Sequence, residues 1–68
     1  MRELDLFQEV CGEFRGYTLD GERIVVMFTD SSSIVLPRSG ERALRAVKPG
    51  QRVAIIRISG DRVKVRQA

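Results

Sequence analysis

Cations dominate the end of the chain. In VAIIRISGDRVKVRQA, residues 53–68, Arg57, Arg62, Lys64 and Arg66 are interleaved with valines and isoleucines. On a β-hairpin this spacing sets charges about 5 Å apart across the sheet and about 7 Å apart along it, the scale on which a nucleic-acid backbone repeats its phosphates. The chemistry implied is neutralisation of a polyanion. A second candidate is PRSGER, residues 37–42, where Arg38 and Arg42 flank Ser39-Gly40 at the start of a short helix. Backbone N–H groups there attract a phosphate; equally, Ser39 caps the helix and the arginines are solvated. Tyr17, close to Arg15 in FRGY, is the ring expected to be free to stack on a base. Alternating cations also mark any solvated strand, and along an edge they prevent aggregation.

Catalytic signatures are missing. The sequence has no histidine, no G-x-S-x-G and no phosphate-binding P-loop. Glu9 and Glu13 on a strand share a face but stand about 13 Å apart, which assigns no acid and base pair. With one cysteine and no histidine, neither a disulfide within the chain nor the usual zinc ligand set is available. Cys11 has no cation beside it and reads as a small buried hydrophobe. The expectation is a protein that is not an enzyme and takes no cofactor.

The elements that must position these cations are strands. Residues 52–59 and 62–67 are β-rich around Gly60-Asp61, which predicts a two-residue turn pairing Ile58 with Val63, Ile56 with Val65 and Ala54 with Gln67. That register buries those six residues. It places Arg57 beside Lys64 and Arg62 on the outer face, with Arg66 one step along. TLDGERIVVMF predicts a second hairpin at Asp20-Gly21, a type I′ turn pairing Leu19 with Glu22 and Tyr17 with Ile24. Gly12 and Gly16 around Phe14 predict a long first strand that bends or carries a bulge. A strand from Ile24 to Thr29 turns at residues 30–33 and resumes as IVLP up to Pro37. About two turns of helix follow, with Leu44 and Val47 on one side, and Pro49-Gly50 turns into the next strand. Residues 1–10 fit either a helical turn or a strand.

The order strand, strand, strand, short helix, strand, strand predicts a mostly all-β chain. It is that of a small five-stranded barrel of OB or SH3-like type, with one short helix between strands 3 and 4. With 68 residues, one domain spanning 1–68 is expected, on a thin stability margin. The net charge is +3, but residues 1–30 carry three cations and seven anions, whereas residues 31–68 carry nine and two. This asymmetry points to RNA or DNA as partner, or to a homo-oligomer joined through edge strands. Acidic residues at the start and short apolar runs argue against a secretory signal or a membrane partner; a cytoplasmic location is the expectation.

Overall fold

A computed structural model describes residues 2–68, and it is mostly β. Five antiparallel strands, β2 (Glu9–Asp20), β3 (Arg23–Phe28), β4 (Ser33–Pro37), β5 (Arg52–Arg57) and β6 (Val63–Gln67), form one sheet in the order β4-β3-β2-β5-β6. The two-residue β1 (Arg2–Glu3) adds to the edge of β4 in parallel. A 3₁₀ turn, Arg38–Gly40, runs into the four-residue helix α1 (Glu41–Leu44) between β4 and β5. The sheet does not close: among the described residues β4 and β6 are not paired to one another. No helix among them is long and apolar enough to cross a membrane.

The long strand β2 organises the whole. Its first half, Glu9 to Glu13, pairs with β5, and its second half, from Phe14 on, pairs with β3. Just past the switch, Arg15 is an extra residue between the pairs Phe14–Phe28 and Gly16–Met27, and such a bulge bends a strand sharply. Gly12 is needed just before the bend: a Cβ there would lie 2.9 Å from Cδ1 of the Phe28 ring. The core fills the concave side, with Phe14, Ile24, Val26, Phe28, Ile34 and Leu36 from one half of the sheet and Val53 and Ile55 from the other. Leu4, which the sequence left between strand and helical turn, follows β1 and is fully buried. A four-residue helix cannot persist on intrinsic propensity. Burial of Leu44, worth about 2 kcal/mol, holds α1 in place.

The β2–β3 turn falls one residue later than expected. Asp20 pairs with Arg23 and Leu19 with Ile24, so the loop is Gly21-Glu22, with only Gly21 at positive φ (63°). That is the signature of a type II′ turn, not type I′. The shift in pairing is two residues, which preserves the side-chain period, so Ile24 and Val26 face inward, and Tyr17, opposite Val26, packs against the same core instead of standing free. At Lys48-Pro49-Gly50-Gln51 the turn chemistry holds as read. Gly50 has φ 89°, and Gln51 N–H donates to the Lys48 carbonyl at 3.1 Å, a type II arrangement.

Candidate nucleic-acid interface

The last hairpin departs from expectation by a single residue, and that matters more. Arg57 pairs with Val63, Ile55 with Val65 and Val53 with Gln67. The loop is Ile58–Arg62, closed by Ile58 N–H to the Arg62 carbonyl at 2.9 Å, in place of a two-residue Gly60-Asp61 turn. A one-residue slip exchanges the faces of one strand relative to its neighbour. Val63 and Val65 still face inward, but on β5 it is Val53, Ile55 and Arg57 that join them, while Ala54, Ile56 and Ile58 take the outer side.

Arg57 is therefore not beside Lys64 on the outer face. Its side chain is only 20% exposed and paired with Glu3 at 3.6 Å. Its guanidinium donates to the carbonyls of Leu4 (2.9 Å), Ser59 (3.2 Å) and Gly60 (2.9 Å). Those bonds explain the register. The wider loop turns the Ser59 and Gly60 carbonyls back onto Arg57, and the inward strand position is occupied by a cation whose donors are satisfied. Ser59 Oγ to Asp61 Oδ1 (3.2 Å) and Ser39 Oγ to the Asp61 carbonyl brace the same loop.

What remains outside is spread along one face. On the outer face of β2-β5-β6, Glu9, Ile56 and Lys64 make one row, Cys11, Ala54 and Arg66 the next, and Glu13 with Arg52 a third. Arg52, Lys64 and Arg66 are exposed on it, and exposed Arg62 stands in the loop above. Arg66 reaches across β5 to Glu9, Nη2 to Oε2 at 3.3 Å, covering Ala54, which is 1% exposed despite its outward position. Among the described residues Arg52, Arg62 and Lys64 make no ion pair. Arg52 was not singled out from the sequence; once Ala54 faces out, the alternation places Arg52 there as well. Cys11, expected to be buried, is exposed for the same reason.

PRSGER divides between two loops. Arg38 Nη1 donates to the Gly21 carbonyl at 3.0 Å in the β2–β3 turn, and Ser39, instead of capping α1, sits inside the 3₁₀ turn and binds Asp61. Arg42 is exposed on α1, and no side chain caps that helix. Tyr17 is not a free platform. It is half-buried against the core, its ring 6.5 Å from that of Phe14 and tilted by 38°.

The exposed ring is Phe7, 68% accessible, with Leu6 (53%) before it and Ile58 (40%) nearby. Its N–H donates to the Arg57 carbonyl at 2.7 Å. An apolar i, i+3 reading of Leu4, Phe7 and Val10 hid this ring, because only the turn Asp5–Gln8 reveals that it points out of the pattern. A cavity of about 210 Å³ lies between the β2–β3 turn and the β5–β6 loop, lined by Glu3, Glu22, Arg23, Pro37, Arg57 and Gly60. It is smaller than the usual small-molecule pocket and of mixed charge. Compared with known proteins, the chain matches no family model, no curated protein and no solved structure.

Proposed function

We propose that this chain is a non-enzymatic binding module that holds RNA or DNA backbone on the outer face of β5 and β6. The observation that carries the reading is the set Arg52, Arg62 and Lys64, exposed and in no ion pair among the described residues, with Arg66 on the same face. Arg62 and Lys64 at the loop end of the face, and Arg52 four residues along β5 from the partner of Lys64, neutralise phosphates along a backbone without reading bases. Arg57 is left out, because its donors are committed to carbonyls. We read the architecture as a partly open OB-type barrel. Support comes from the pairing of the long strand β2 with both β3 and β5, the Greek-key order of that fold, in preference to an SH3-like barrel.

Fluorescence anisotropy with a labelled single strand and a labelled duplex, titrated over salt, tests the reading. Three neutralised phosphates give a log–log slope of roughly −2 for the single strand and −2.7 for the duplex. Affinity then falls about 20-fold and 40-fold between about 50 and 200 mM salt. The variant carrying Arg52→Gln, Arg62→Gln and Lys64→Gln loses that slope. Absence of binding at low salt defeats the proposal.

A second reading rests on one observation: among the described residues β6 is hydrogen-bonded to β5 on one side and to no strand on the other, an edge on which a second copy can pair. Sizing at low and high salt distinguishes it. A strict monomer at tens of micromolar removes self-association.

A further inference from the structure

Phe7 holds a conformation its residue type resists. Its φ is 62°, and Gln8 N–H donates to the Asp5 carbonyl at 3.0 Å, so Phe7 is the third residue of a turn. With φ positive at that position alone, the turn follows the type II pattern, which reserves the place for glycine or asparagine. For a bulky side chain, positive φ is a genuine outlier, and strain of this sort persists where the surroundings impose it, often at binding sites. Here the Asp5 N–H donates to Gln8 Oε1 at 3.1 Å and the Phe7 N–H to the Arg57 carbonyl at 2.7 Å, so the turn is pinned from both sides. The strained residue does not bury its ring: 68% of it faces solvent. Packing therefore does not account for a phenylalanine at this position.

The neighbours of the ring indicate a purpose. The peptide joining Arg57 and Ile58 accepts from Phe7 through its carbonyl and donates to the Arg62 carbonyl through its N–H, at 2.7 and 2.9 Å. Phe7 and Arg62 thus lie on opposite sides of one peptide unit, about two strand spacings, near 10 Å, from each other. An exposed apolar ring and a guanidinium in no ion pair among the described residues thus flank the loop end of the hairpin that carries Lys64. We infer that Phe7 is a stacking platform for an unpaired base, and that the polyanion taken by this chain is a single-stranded polynucleotide. A single strand presents the face of each base to a ring and its phosphates to cations, whereas a duplex hides those faces in its stack. This inference rests on the backbone-binding reading above and adds the class of strand to it.

The test uses the whole chain and two substitutions of Phe7. Phe7→Gly removes the ring and suits the positive φ, so the fold is kept and the backbone relieved. Phe7→Trp introduces the only tryptophan of the chain, whose emission reports on stacking directly. The probes are an oligothymidylate, an oligouridylate and a blunt duplex of equal length, at fixed low salt. In Phe7→Gly, affinity for the single strands falls about tenfold, the range of one lost base–aromatic stack, while duplex affinity and the salt slope stay as in the parent. In Phe7→Trp, both single strands are retained and quench the emission, and the duplex leaves it unchanged. If the parent binds all three probes with the expected slope and Phe7→Gly changes none, the platform is overturned and the backbone reading stands. If the parent binds none, both fall together. If Phe7→Gly instead shifts the sizing profile from dimer to monomer, the ring is a subunit contact and the inference is overturned.

Discussion

The guanidinium of Arg57 and the carbonyl of Leu4, 53 residues apart in the chain, meet at 2.9 Å. Through this bond the N-terminal segment is fastened beside the end of β5. The same side chain gathers the β5–β6 loop by its bonds to Ser59 and Gly60. A cation read from the sequence as a ligand contact thus acts as a clamp between two segments.

Arg57→Met keeps the stem and removes the donors. It should destabilise the fold by about 2–3 kcal/mol, since three carbonyls lose a charged donor. In urea, the midpoint falls and the slope of the transition is kept. At salt concentrations where the variant is folded, its polyanion salt slope equals that of the parent. Lys64→Gln shows the opposite pattern, with little change in midpoint and a shallower salt slope.

Gly12→Ala places a methyl 2.9 Å from the Phe28 ring, which is buried in the core at 2% exposure. The expected cost is about 1–3 kcal/mol by thermal or chemical unfolding. Phe28→Leu in the same chain relieves the clash, so the double variant loses less than the two single losses combined.

Glu9 places a carboxylate on the basic face and holds Arg66 at 3.3 Å, with both side chains well exposed. Such a pair adds under about 1 kcal/mol to stability. Glu9→Gln therefore leaves the melting temperature nearly unchanged, frees Arg66 and strengthens binding to a single strand several-fold, with a steeper salt slope. Unchanged affinity locates the ligand elsewhere.

Cys11 is exposed opposite Ala54. A thiol reagent should label it stoichiometrically in the native protein without denaturant. Protection of the native thiol, released only on unfolding, contradicts the outer-face placement.

Asp30 accepts from the Ser32 hydroxyl and from the Ser32 N–H in the β3–β4 turn, and these bonds hold its carboxyl below the ordinary aspartate value. With the folded value depressed, the contribution to stability is complete above the unfolded value and is lost as pH falls through the folded one. Ser32→Ala removes the hydroxyl, the larger cause, so the Asp30 titration followed by carboxyl ¹³C shift moves to higher pH.

Much of the architecture was legible because it depends on local chemistry. The glycines around Phe14 announced the bend of β2, Pro37 ended β4, and Pro49-Gly50 made its turn. In the β2–β3 hairpin the misplaced turn did little harm, since β3 alternates cleanly and a two-residue shift returns each side chain to its own face. The β5–β6 hairpin gave no such protection. Residues 53–58 read VAIIRI, apolar on both faces, so alternation alone cannot tell Val53 and Ile55 from Ala54 and Ile56.

Sequence by itself determined a β-rich chain with a short helix after its third long strand, and a basic second half with cations at strand spacing. Composition and the two-residue period carry that information without reference to distant neighbours. Tertiary structure decided which cations are free, which ring is exposed and which face of β5 looks inward. Those choices depend on partners far away in the chain, namely the Leu4 carbonyl for Arg57, the Arg57 carbonyl for Phe7 and the Phe14 ring for Tyr17. A strand with two apolar faces is oriented by what it packs and bonds against, and only the folded molecule supplies those contacts.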